Sequence, residues 1–274
     1  MFARLIGQKM SESTGSPVII DNRPGLGGLL GLESVVQAPR STPTLGMLTT
    51  GGLMMAFARR PDLVQGFQMV SLLGIQGMVI VSPRDKTIAD FVERAKGAPQ
   101  LSYGSSGSGS MSQICFEQFL KGVGRKSQAV HVPYRGAAPL LVDLMSGQVE
   151  AACVEMSYVI PQIRSGKLRA LAVTLPYPHD QLPGVPTLES AGVQGVLSGV
   201  WYAAIVPKGI SRTSIDSMVL GLKRALSDPQ VQARLRESIQ ADPIPVADVG
   251  PEIADQFLQR QIVKLAPYSY LLRD

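Results

Sequence analysis

Residues Leu101 to Gly122, LSYGSSGSGSMSQICFEQFLKG, pass from an apolar alternation through seven small residues into a helical repeat. Leu101 and Tyr103 alternate as a strand does, while Met111, Ile114, Cys115 and Phe119 recur at helical spacing. A strand that turns directly into a helix is the unit from which layered α/β folds are built. Where it turns, the first helical N–H groups lack carbonyl partners and the helix dipole is positive, so the turn favours an anion. Ser105, Ser106, Ser108 and Ser110 add hydroxyls there, and Gly104, Gly107 and Gly109 let a ligand approach the backbone. The pattern predicts a carboxylate or phosphate cradle. The alternative is a flexible turn in which Ser110 simply caps the helix.

At 274 residues the chain can form one large α/β domain or two of ordinary size. No window reaches the roughly 18 uninterrupted apolar residues of a membrane-spanning helix. The net charge of +5 comes from scattered basic residues, among them Arg59-Arg60, Arg84, Lys121, Arg125-Lys126, Lys167 and Arg169. With seven Phe, one Trp and no nucleic-acid motif, this charge supports only a weak general attraction to anions, and no nucleic-acid partner is expected. Cys115 falls on a helix and Cys153 in an apolar strand, where isolated buried thiols are expected. His131 and His179 have no paired spacing to cysteines or acids, which argues against a metal site. Phe2, Leu5, Ile6 and Met10 form one helical face, and the opening residues carry no signal-peptide pattern.

Strand and helix patterns alternate along the chain. Strands are expected at Pro17–Asp21, Thr44–Thr49, Met69–Leu73, Met78–Val81, Ala129–Val132, Val149–Val154, Arg169–Thr174 and Gly199–Val206. Helices are expected over Gly27–Ala38, Thr87–Gly97, Ala138–Ser146, Tyr158–Arg164, Thr213–Leu226, Pro229–Ser238 and Pro251–Leu265. Such alternation implies parallel sheets with helices on their faces and ligands beyond the carboxyl ends of the strands. The loops at 49–52, 104–110 and 133–136 occupy that position and are candidates to line one cleft.

Catalytic motifs fail on spacing. Gly104-Ser105-Ser106-Gly107-Ser108 places serine where the second glycine of a nucleophile elbow belongs, and Gly25-Leu26-Gly27-Gly28-Leu29-Leu30 ends in leucine where a dinucleotide fingerprint needs glycine. No phosphate-binding G-x-x-x-x-G-K-[ST] occurs. His131 lies within an apolar strand without a visible acid partner, as a structural histidine does. No cofactor is implied, and a hydrolase using Ser106 or Ser108 is the most distant reading.

Seven segments carry a resemblance. They are Asp21-Asn22-Arg23-Pro24-Gly25-Leu26-Gly27-Gly28, Val70-Ser71-Leu72-Leu73-Gly74, Tyr103-Gly104-Ser105-Ser106-Gly107, His131-Val132-Pro133-Tyr134-Arg135-Gly136, Gly147-Gln148-Val149-Glu150, Gly166 to Thr174 (GKLRALAVT) and Leu182-Pro183-Gly184-Val185-Pro186-Thr187. In this order they resemble the Bug family, the solute receptors of tripartite tricarboxylate transporters, across essentially the whole chain.

The resemblance implies an α/β, two-lobed type II periplasmic-binding-protein fold, with a cleft between lobes joined by two crossing strands near Leu72–Val81 and Val200–Val206. Lobe one is expected at 1–81 and 204–274, lobe two at 82–203. It implies a non-enzymatic, periplasmic receptor that closes on a small organic acid, either a di- or tricarboxylate or an aromatic carboxylate, and hands it to membrane permease subunits as a monomer. The runner-up is a ligand-sensing domain for a signalling or regulatory partner. Expected ligand contacts are Thr49, Thr50 and Gly51 from one lobe, and Ser105, Ser106, Gly107 and Ser108 with Arg135 and Gly136 from the other; Arg135 is otherwise an ordinary solvated turn residue. The sequence departs from the family pattern in three places. An opening strand and Pro/Gly-rich loop that members place before residues 1–15 is not found, which predicts a truncated gene model or a pocket open on one side. Val154 stands where many members have a ligand-facing aspartate, with Glu155 one residue away on the opposite strand face. Arg40-Ser41-Thr42-Pro43 replaces the usual turn, and 57–68 is shortened.

Overall fold

The computed structural model describes residues 2–97, 100–124, 129–196, 199–239 and 241–272. In chain order these form α1 (Phe2–Thr14), α2 (Leu29–Val36), β1 (Gly46–Thr49), α3 (Thr50–Arg59), β2 (Phe67–Gln76), β3 (Met78–Ser82), α4 (Ile88–Gly97), β4 (Ser102–Ser105) and α5 (Met111–Gly122). There follow β5 (Val130–Pro133), α6 (Ala137–Ser146), β6 (Ala151–Glu155), α7 (Met156–Arg164), β7 (Arg169–Val173), β8 (Val200–Pro207), α8 (Arg212–Ser227), α9 (Pro229–Arg234), β9 (Asp242–Pro243) and α10 (Pro251–Leu265). The chain divides into two compact units, Met1–Ile75 with Trp201–Asp274, and Gln76–Val200. It therefore passes from one to the other twice, at 75/76 and 200/201.

The first unit carries a four-stranded sheet in the order β1-β8-β2-β9, in which β1 and β8 are antiparallel with Gly46 opposite Ile205 and Thr49 opposite Tyr202. The apolar face of α1 meets α8 and the sheet: Phe2, Ile6 and Met10 join Val70, Leu73, Val206, Leu222 and Leu226 in one buried cluster. Phe2 stacks on Tyr202 with ring centroids 4.8 Å apart.

The second unit holds a five-stranded sheet, order β5-β4-β6-β3-β7. β4 runs parallel to β5 and β6, whereas β3 is antiparallel to both β6 and β7. Phe91 of α4 stacks on Phe119 of α5, and Tyr103 of β4 stacks on Phe116. A disulfide joins Cys115 on α5 to Cys153 on β6. Arg94 on α4 donates to both oxygens of Asp85 at 3.0 and 2.7 Å and to Glu150 at 2.6 Å, while Glu150 accepts the Ser102 N–H at 2.8 Å. That network ties the end of β3, α4 and the starts of β4 and β6 together.

The structure corrects several expectations. Both sheets contain antiparallel pairs, because β3 lies between β6 and β7 rather than beside a strand to which a single helix connects it. Pro17–Asp21 forms no strand: it has no ladder partner among the described residues, and Ile19 is 88% exposed. The two cysteines are paired rather than free, because α5 packs directly on β6. The compact units change over at 75/76 and 200/201, beside expected bounds of 81/82 and 203/204, and β3 belongs to the second sheet. Arg125-Lys126, named among the scattered basic residues, lie outside the described residues.

Candidate functional site

In the second unit the chain leaves β4 through Ser105, loops over 106–110 and enters α5. A Cβ on Gly104 would lie 2.2 Å from Leu140 Cδ1 and within 3.3 Å of Tyr134 and Val149, so any side chain there would force these neighbours to move. Ser105 is fully buried and its hydroxyl is already engaged: it donates to Gly107 O at 2.9 Å and accepts the Gly107 N–H at 3.2 Å. His131 Nε2 lies 2.7 Å from the same oxygen, so with the hydroxyl proton on Gly107 O the imidazole donates from Nε2. Burial pulls His131 below its usual pKa, with the Glu117 charge acting weakly the other way, and the ring stacks on Tyr103 at 5.0 Å. Gly107 has φ +144, a conformation side chains disfavour, and this turns the loop back on itself.

The neighbouring β5–α6 turn is laced to this loop. Tyr134 N–H donates to Ser105 O at 3.0 Å and Gly136 N–H to Ser106 O at 3.1 Å. The Tyr134 hydroxyl bonds Asp143 at 2.8 Å; burial, and then that carboxylate, push its pKa up to about 12. Gly136 sits at φ +105 before α6, whose first turn has no side-chain cap. Arg135 beside it is exposed.

At the start of α5 the capping is reciprocal. Ser110 Oγ accepts the Gln113 N–H at 3.3 Å, and Gln113 Oε1 accepts the Gly109 N–H at 2.7 Å. Ser110 is an N-cap, and the Met111 and Ser112 N–H groups belong to the first turn, which has no intrahelical acceptor. Ser106 and Gly107 are partly exposed and Ser108 is exposed.

In the first unit the β1–α3 turn has the same construction. Thr49 caps α3, its Oγ1 accepting the Gly52 N–H at 3.1 Å. Thr50 is fully buried, its Oγ1 accepting the Trp201 N–H at 2.8 Å, so it braces β8 rather than facing solvent. Gly51 is partly exposed. Sequence reasoning passed over the glycines at 27 and 28 as a turn and helix start; a Cβ on Gly28 would lie 3.8 Å from Gly52 Cα, so this loop backs onto the α3 turn. A groove of about 400 Å³ in this unit is walled by Leu26, Leu29, Leu30 and Met55, with Glu33, Arg59 and Arg60 at its rim. Its lining surface is mostly apolar.

Among the described residues no cluster of three or more His, Cys, Asp or Glu side chains is placed to hold a metal ion, and no helix is long and apolar enough to cross a membrane. The sequence matches the model of the "Tripartite tricarboxylate transporter family receptor" over residues 2–264. The chain belongs to this family. Family members are periplasmic solute-binding proteins rather than enzymes. A curated relative from Agrobacterium vitis, the UPF0065 protein in the TAR-I ttuE-ttuC' intergenic region, is 31% identical over 273 residues, covering 96% of this chain and 78% of its own. Among solved structures, MatC from Rhodopseudomonas palustris with bound malate is 26% identical at a TM-score of 0.73, covering 98% of this chain and 93% of that one. R. palustris Rpa4515 with adipate is 26% identical at 0.69, covering 99% and 90%. The fold is that of these tripartite-transporter-type binding proteins.

Proposed function

We propose that this receptor captures a small organic carboxylate outside the cytoplasm and delivers it to the membrane permease subunits of a tripartite tricarboxylate-type transporter, working as a monomer. The observation that carries the reading is the β4–α5 loop laced to the β5–α6 turn. With the loop's own N–H groups used in that lacing, the first-turn N–H groups of α5 and α6 are left for an anion, with no cationic side chain needed to bind it. Within it, Ser106, Gly107 and Ser108 are the ligand contacts, with Arg135 and Gly136 flanking, whereas Ser105 shapes the loop from inside. In the first unit Thr49 and Gly51 are the contacts, and Thr50 holds their turn in place. The bound malate and adipate of the two relatives support a dicarboxylate. The Cys115–Cys153 disulfide supports the periplasm, since cytosolic thiols are kept reduced.

The test is a thermal-shift screen of the purified protein against mono-, di- and tricarboxylates, aromatic acids and acidic amino acids, with calorimetry on any hit. A true ligand at a hundredfold excess over its Kd stabilises by about 2.7 kcal/mol. A screen in which none of these acids shifts a well-folded protein overturns the proposal.

A further inference from the structure

Glu155 is the last residue of β6, and the register Tyr103 opposite Ala151 and Gly104 opposite Ala152 brings the carboxyl end of β6 beside the end of β4. The strand end that carries Glu155 therefore adjoins the point where the Ser106–Ser108 loop departs. Val154, at the position where a ligand-facing residue is expected, is fully buried opposite Val79 of β3. Glu155 is half-buried and, on a strand, shares its face with Cys153. That face is covered by α5, because Cys153 is disulfide-bonded to Cys115 and its carbonyl accepts the Ser112 hydroxyl at 2.5 Å. The Glu155 carboxyl thus lies on the side of the sheet where α5 begins. It occupies the N-cap position of α7 yet makes no capping bond, and its own backbone N–H is its one hydrogen-bonding neighbour among the described residues.

No charge compensates it. Of the elements packed on β6, β3 holds no ionisable residue. β4 offers Tyr103, whose hydroxyl bonds Glu117 of α5; the other charge of α5, Lys121, is exposed in its last turn. Asp143 of α6 is held by Tyr134, Tyr158 of α7 is 54% exposed, and Arg164 is exposed at the far end of α7. Burial alone raises the Glu155 pKa, opposed only by its own backbone N–H, with no charged neighbour contributing. An ionised carboxyl here would repel an incoming anion, whereas a protonated one supplies an O–H donor.

We propose that Glu155 takes up a proton from solvent when this receptor binds a carboxylate, the neutral acid donating its O–H to the ligand, so that the residue sets the pH range in which anions are held. This rests on the carboxylate-receptor reading above. The proton adds to the carboxyl as the anion enters and leaves with it, so binding is linked to pH.

The experiment titrates malate and adipate into the protein between pH 6.5 and 8.5, where both probes are dianions. His131 stays neutral there because burial holds it below its usual value. Affinity should fall toward tenfold per pH unit as pH rises. Calorimetry in buffers of different ionisation enthalpy should count about one proton taken up. Glu155→Gln, which keeps the shape and a donor, should flatten the profile and bind more tightly than wild type at pH 8.5. Binding whose Kd ignores pH with no proton taken up, or a glutamine variant that keeps the slope, overturns the role of Glu155 and leaves the receptor reading standing. Failure of every carboxylate at every pH overturns both.

Discussion

Joining Cys115 to Cys153 closes a loop with a sequence separation of 38 residues in the second unit, and neither sulfur is solvent-exposed. Reducing the bond without altering any other atom frees the unfolded chain of that closure. For 38 residues the loop-closure relation gives about 13 cal/mol/K of entropy, or about 3.9 kcal/mol at 25 °C. At about 2.1 cal/mol/K per residue the whole chain has an unfolding entropy near 0.58 kcal/mol/K, so the midpoint should fall by about 7 °C if it melts as one transition. The assay compares oxidised protein with the same protein unfolded, reduced and refolded under reductant, by calorimetry and by far-ultraviolet dichroism. Thiol titration of the unfolded, oxidised protein should find no free cysteine. Two titratable thiols in protein secreted to an oxidising compartment, or a midpoint that moves by less than about 1 °C, would refute the reasoning.

Two further substitutions test the frame. Arg94→Met strips Asp85, which is only 8% exposed, of its bidentate partner and should cost about 3 kcal/mol in urea unfolding. Burial opposes the Asp85 charge, but the bonds from Arg94 and Ser82 outweigh it and leave its pKa below the ordinary value. The wild type should therefore hold this stability above about pH 3.8 and lose it as pH falls through the lowered folded value, and the variant should lack that acid-side slope; an unchanged slope counts against the network. Thr50→Val leaves the Trp201 N–H without its acceptor inside the first unit and should cost about 1–3 kcal/mol, whereas Thr50→Ser should restore most of it. Trp201 is the chain's one tryptophan, so its emission follows the unfolding of both variants, and equal stability of the valine and serine forms argues against the bond.

Much was written locally. The alternation of Leu101 and Tyr103, the seven small residues after them and the helical spacing of Met111 to Phe119 depend only on neighbours in the chain, and β4, its loop and α5 appear where those periods place them. The same is true of α1, α4, α6 and α10, whose apolar faces repeat within a few turns, and of the motif series that carries the family. Distant pairing was not legible. Pro17–Asp21 has strand composition, but a strand exists only with a partner, and the fold supplies none among the described residues. Ser105 and Thr50 look like surface hydroxyls in their loops; burial turns one onto Gly107 and His131 and the other onto Trp201, across 26 and 151 positions. Cys115 and Cys153 carry no spacing that announces a bond, and only the packing of α5 on β6 brings them together. The same packing brings the carboxyl end of β6, with Glu155, beside the end of β4 where its loop departs. Local chemistry is periodic and can be read along the chain; which groups meet, and which are left without a partner, is decided by contacts between residues far apart in it.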